Sequence, residues 1–123
     1  MGKYIFRKEE RLNSEKDIQE LFSKGSSFYL YPFKVLRLEI SRADQRYHQI
    51  LISVPARNFK RAVDRNLLKR RIREAYRLNK GEISSPTKLL IAYIYTAKEI
   101  LEFSQIQDRL VKSLKQLGHA KKE

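Results

Sequence analysis

The apolar positions along the chain change period several times, and each change marks an expected element. Ser14 stands three residues before Asp17, the spacing of a capping box with Asp in the place of Glu. Ile18, Leu21 and Phe22 then fall at i, i+3 and i+4, one face of a helix, which Gly25 is expected to end in the left-handed conformation. An aromatic run follows from Phe28 to Phe33. Pro32 cannot donate to a strand ladder, so it divides a short strand near 27–30 from a longer one at 33–40. In the longer one Leu36, Leu38 and Ile40 alternate with Arg37 and Glu39, the period of a half-buried strand. Polar residues 41–46 make a turn. Residues 47–54 read as the next strand, centred on Ile50, Leu51 and Ile52 and stopped by Pro55, with His48 a simple strand residue. A long helix is expected over about 61–79, a loop over 81–86 and a nearly continuous apolar strand over 89–95. Ile106, Leu110, Leu114 and Leu117 then recur at helical spacing, with Gly118 as terminator. The order αβββαβα predicts an α+β fold, a two-layer sandwich of a small sheet packed with helices. Residues 1–123 are read as one domain, with a basic irregular arm over about 1–12 and a short polar tail over about 118–123.

Composition changes this picture in one respect, which is charge. The hydrophobic fraction of 41% suits a packed domain, but 27 Lys and Arg stand against 14 Asp and Glu, a net +13. Such a surplus favours polyanionic partners, nucleic acid ahead of an anionic membrane surface. The absence of cysteine excludes disulfides and thiolate metal sites. His48 and His119 are far apart, so no metal-bound or His-based catalytic site is expected. No run approaches the length of a membrane span, and the apolar part of Met1–Phe6 is too short for a signal peptide, so the cytoplasm is the expected compartment.

The surplus is concentrated. Ten basic residues and two acids lie between Arg57 and Lys80. On a helical wheel Arg65, Asn66, Lys69, Arg70, Arg73 and Arg77 share an arc of about 140°, opposite Leu67, Leu68, Ile72, Ala75 and Leu78. Arg57, Lys60 and Arg61 extend the cations toward the start of the helix. Guanidinium groups bind phosphate oxygens in bidentate fashion, and Asn66 can both donate and accept at a sugar or base edge. Solvated helix faces ordinarily mix Glu with Lys, whereas this one is nearly single-signed, as a nucleic-acid footprint is. Arg71 falls in the apolar arc and is expected to snorkel past the sheet edge. Arg65→Ala and Arg73→Ala are expected to weaken RNA binding and leave folding nearly unchanged.

The segment Ala62-Val63-Asp64-Arg65-Asn66-Leu67-Leu68-Lys69-Arg70-Arg71-Ile72-Arg73-Glu74-Ala75-Tyr76 resembles the signature of the bacterial ribonuclease P protein family. That signature runs Ala-Val-x-Arg-Asn-x-x-Lys-Arg-x-Ile-Arg-x-Ala-Phe/Tyr. The resemblance continues in Arg11-Leu12, in Asp17-Ile18 with Leu21-Phe22 and Gly25, in Ile50 to Val54 and in Leu89 to Tyr95. It implies the non-catalytic protein subunit of an endoribonuclease that removes the 5′ leader of precursor tRNA. The partners would be the catalytic ribonuclease P RNA and precursor tRNA, with no membrane and no small-molecule substrate. No cofactor would be bound by the protein alone, and Mg²⁺ would act through the RNA. Arg65, Asn66, Lys69, Arg70 and Arg73 would contact RNA. Ile18, Phe22, Phe33 and Leu36 would line a cleft for the single-stranded leader, between the first helix and the sheet. A left-handed βαβ crossover around the signature helix is also implied, where general rules favour the right-handed one.

The chain departs from the family in places. Leu67 stands where a second Arg usually follows the Arg-Asn pair, Lys60-Arg61 replaces Gly-Asn, and Pro55 to Arg61 is one residue longer. Ile18 and Leu36 stand at positions that are usually aromatic. Rival readings are a ribosomal-type RNA-binding protein with no processing role, a protein-only nuclease and a membrane-surface protein. The nuclease would need convergent carboxylates, yet Asp64 and Glu74 stand ten residues apart, about 15 Å along the basic helix. The face opposite the cations is needed by the core, which disfavours the membrane.

Overall fold

The computed structural model describes residues 6–42 and 44–117. A 3₁₀ turn at Lys8–Glu10 is followed by α1 (Glu15–Lys24), β1 (Ser26–Leu30), β2 (Phe33–Ile40), β3 (Gln49–Ser53), α2 (Ala62–Asn79), β4 (Lys88–Tyr95) and α3 (Phe103–Leu117). The expected α+β order αβββαβα holds. The sheet runs β1-β2-β4-β3, antiparallel except for the parallel pair β3–β4, which the crossover through α2 joins.

Alternation in the strands sorts side chains to two faces. On one lie Phe33 and Val35 of β2, Ile50 of β3 and Leu89, Ile91, Tyr93 and Tyr95 of β4. Leu68, Ile72, Ala75 and Tyr76 of α2 and Ile106, Leu110, Leu114 and Leu117 of α3 cover them. This sheet-on-helices pair is the main core. Within it Ser113 is buried because its hydroxyl bonds that of Tyr93. The opposite face presents Leu36, Leu90 and Ala92, on which Leu12 and Leu21 pack. Among the described residues α1 is the one helix on that face, and Tyr29 and Lys34 stay exposed there.

Several local expectations are corrected. Gly25 closes α1 with φ −71° and ψ 155°, an extended conformation rather than a left-handed one. Glycine is required by proximity, since a Cβ would lie 2.5 Å from the Leu21 carbonyl oxygen and 2.8 Å from that of Arg37. Ser14 does accept from the Asp17 amide at 3.3 Å, but the Asp17 carboxylate turns to the Arg42 guanidinium, with bonds of 2.7 and 3.1 Å, and no reciprocal box forms. The Arg42 bonds hold that carboxyl below its ordinary range. The described part of the N-terminal arm is built into the fold. Leu12 is buried, and its amide donates to Ile50 at 3.0 Å. Glu10, 2% exposed, receives Lys80 Nζ at 2.8 and 2.9 Å, so Lys80 serves an internal ion pair. Arg71, half-buried, donates to the Leu101 carbonyl and ties α2 to the approach of α3. Leu78 is 37% exposed, and Tyr76 takes the core position instead. Gly118, His119 and the rest of the tail lie outside the described residues.

Candidate nucleic-acid interface

α2 has 18 residues, about 27 Å at 1.5 Å per residue. Its core face is fixed by Leu68, Ile72, Ala75 and Tyr76, which forces the signature cations outward. Asn66 and Arg70 are exposed, and Arg65, Lys69, Arg73 and Arg77 are half-buried along the same side. Arg57, Lys60 and Arg61 are exposed on the loop that enters the helix. Six of the nine RNA-contact candidates therefore share one side of α2, and the other three stand on its entry loop. Two of them also carry internal contacts. Arg65 Nη1 donates to the carbonyls of Phe59 at 2.7 Å and Lys60 at 2.9 Å, which fastens the entering loop to the first turn. Arg77 pairs with Glu74 one turn back, lowering the Glu74 pKa below the usual carboxylate range. The expectation that Arg65→Ala leaves folding nearly unchanged is thus revised by these two bonds, and among the described residues Arg73 shows no comparable tie.

Sequence reasoning placed the start of α2 to within a residue but did not read its missing cap. Arg61 occupies the N-cap and offers no side-chain acceptor to the first turn, where Ser, Thr, Asp or Asn is usual. The Asp64 amide donates to the Arg61 carbonyl at 3.1 Å, which leaves those of Ala62 and Val63 to face an anion beside Lys60 and Arg61. The signal was readable as a missing cap residue ahead of a strong helical pattern.

The cleft candidates separate. Ile18 and Leu36 do pack in the α1 layer, and Phe22 is 49% exposed on α1. Phe33 is fully buried in the other layer, edge-on to Tyr93 and Tyr95, so it has no ring face for a base and leaves the leader set. The reason is parity: Phe33 and Leu36 are an odd number of residues apart in one strand and must face opposite sides. Leu36 itself is 6% exposed, beneath α1.

The open part of the α1-side face has other residues. Tyr29, Lys34, Ile94 and Ser53 are register partners in one row across all four strands. Tyr29 is 61% exposed, and its hydroxyl accepts from Thr96 Oγ1 at 3.3 Å. Lys34 is exposed. Strands spaced about 4.8 Å apart make the row about 14 Å long. At Ile94 it meets a groove of about 460 Å³ also lined by Arg57, Asn58, Thr96 and Lys98. Tyr29 could have been found from the sequence, two residues from Ser27 and cross-strand from Lys34, once the turn at Pro32 was placed.

Among the described residues no group of three or more His, Cys, Asp or Glu could hold a metal ion. Asp17, Glu10 and Glu74 are each engaged by a cation, so these carboxylates offer no shared donor set for Mg²⁺. No helix of the described residues is long and apolar enough to cross a membrane.

Fold and surface together define a small basic α+β protein with one cationic helix and an adjoining open row of sheet. The family model for ribonuclease P matches residues 6–118. The ribonuclease P protein component of Porphyromonas gingivalis is 35% identical over 112 residues, covering 87% of this chain and 82% of the relative. That of Dictyoglomus turgidum is 32% identical over 99% of this chain and 100% of its own. The solved ribonuclease P protein of Thermotoga maritima superposes with a TM-score of 0.73 at 31% identity, covering 87% of this chain and 96% of that one. The chain belongs to the ribonuclease P protein family, the RNA-binding protein component of a tRNA-processing ribonucleoprotein.

Proposed function

We propose that the chain binds the catalytic RNA through the α2 cations and holds the 5′ leader of precursor tRNA on the sheet row beside α1. It thereby supports endonucleolytic leader removal without supplying catalytic groups. The hydrolysis and its Mg²⁺ belong to the RNA, and the protein acts in the cytoplasm as the non-catalytic subunit. The observation that carries this reading is continuity. The row Tyr29, Lys34, Ile94, Ser53 runs into the groove at Arg57 and Lys98, which adjoins the α2 entry loop. One strand could pass from an aromatic platform to a phosphate-binding helix without crossing an apolar or acidic barrier. Phe22 and Tyr29 supply exposed rings, and Lys34 supplies a phosphate partner between them and the groove.

The test is leader cleavage at low Mg²⁺, with catalytic RNA alone, protein alone and both together. Rescue by the combination, with no cleavage by the protein alone, is the expected result. Cleavage by the isolated protein would establish the nuclease reading. Failure to rescue, with tight RNA binding retained, would favour a structured-RNA-binding protein without a processing role.

A further inference from the structure

Neither α2 nor the sheet row accounts for a second cationic concavity at the far end of α2. There the 3₁₀ turn Lys8–Glu10, the approach to β3, the start of β4 and the end of α2 enclose a cavity of about 300 Å³. It is lined by Tyr47, His48 and Tyr76 together with Arg7, Arg46 and Lys88. Glu10 is the acid among its lining residues, and Lys80 already neutralises it. The concavity is therefore lined by both cations and aromatic rings.

The polar groups inside are neutral, and their hydrogen-bond roles follow from the geometry. His48 Nδ1 accepts the Leu89 amide at 3.0 Å, so that nitrogen carries no proton and Nε2–H is the donor. Burial, reinforced by Lys88, pushes the imidazole down to about 4 and keeps this tautomer at neutral pH. The Tyr76 hydroxyl makes no hydrogen bond among the described residues, and its ring is held edge-on to Phe6. Tyr47 is stacked beneath the Arg7 guanidinium, 5.4 Å from the ring centroid, and so is an ordered platform. Neutral donors beside cations suit a ring bearing acceptors that is joined to phosphate. The volume lies at the lower end for ligand sites, enough for one nucleoside.

We propose that this cavity takes one unpaired nucleotide of an RNA strand, its base against Tyr47 and His48 and its phosphates at Arg46 and Lys88. It would be a second RNA contact, about 27 Å along α2 from Arg61. Two contacts at that separation would fix the protein's orientation on a large RNA, which one helix face alone leaves free to rotate. The inference goes beyond the proposed role of α2 and the row and does not depend on the leader assignment.

The experiment is an NMR titration of the full chain with a five-nucleotide single-stranded RNA and, separately, with adenosine 5′-monophosphate. The Gly81 amide and the His48 ring report on the cavity. The expected result is saturable shifts of both with RNA, at least fivefold weaker with the mononucleotide. Arg46→Ala with Lys88→Ala should abolish the shifts, while Arg70→Ala with Arg73→Ala should leave them in place. Tyr47→Ala gives an independent variant should the double one unfold, and it too should abolish the His48 shift. RNA shifts confined to α2 and the sheet row would overturn the proposal, as would cavity shifts that survive Arg46→Ala with Lys88→Ala. Equal affinity for mononucleotide and RNA would overturn the RNA assignment in favour of a free nucleotide. Intact low-Mg²⁺ rescue with a silent cavity would sink this inference and leave the proposed function standing.

Discussion

Arg65 is the residue at which the signature's RNA-binding and structural roles coincide, and Arg65→Ala should separate it from its neighbour Arg73. One nitrogen, Nη1, bonds both Phe59 and Lys60 carbonyls. Nη2 and Nε stay available for phosphate. Hydrogen bonds to a charged group contribute about 1.5–3 kcal/mol each when well shielded, but one of these is exposed and both share a nitrogen. A combined loss of about 1.5 kcal/mol is reasonable, equivalent to a melting temperature lower by about 5–8 °C for a chain of this size. Arg73→Ala should stay within about 0.5 kcal/mol of the parent. For RNA affinity the order is the same but the cause differs. Arg73→Ala removes one phosphate contact and should flatten the log–log salt slope by about 0.7–0.9. Arg65→Ala also frees the loop bearing Lys60 and Arg61, so its slope should fall by about two contacts. Thermal denaturation, amide exchange at residues 57–61 and RNA binding between low and physiological salt are the assays. If Arg65→Ala kept the parental melting temperature and loop protection, the clamp would carry no stability. If its salt slope matched that of Arg73→Ala, the loop would carry no RNA contact.

Phe22→Ala and Tyr29→Ala should each reduce the protein's gain for leadered over leaderless substrate by about 1–3 kcal/mol, with catalytic-RNA affinity nearly unchanged; equal gains for the two substrates would remove the row from leader binding. Lys80→Ala strands the buried Glu10 carboxylate, so denaturant unfolding should show a loss of about 3 kcal/mol, whereas a loss under 1 kcal/mol would mean that Glu10 finds other solvation. His48 has a folded pKa of about 4 against an ordinary 6.5, so the unfolded state binds the proton first as pH falls. Its contribution, on the order of 2 kcal/mol after solvent screening, should be complete above pH 6.5 and lost progressively down to about pH 4. His48→Gln should flatten stability across that window, and an unchanged slope would show that other groups set it.

Period, punctuation and charge were enough to place every regular element to within a few residues, because an amphipathic helix and an alternating strand each depend on local spacing. They also placed the cationic surface of α2, since Leu68, Ile72 and Ala75 can face the sheet only if Asn66, Arg70 and Arg73 face away. What spacing could not reveal was which distant groups meet. Parity within β2 already set Phe33 and Leu36 on opposite faces, but only the packing of α1 on one face and α2 with α3 on the other showed which of them leaves the cleft. Lys80 read as one more surface cation until the fold brought Glu10 beside it from 70 residues away. Arg71, in the apolar arc, found its partner in Leu101, and Tyr29 joined Lys34, Ile94 and Ser53 only through strand register. Local periodicity decides which side of an element a residue occupies. The partners found there depend on contacts between segments far apart in the chain, and those exist only once the sheet has closed.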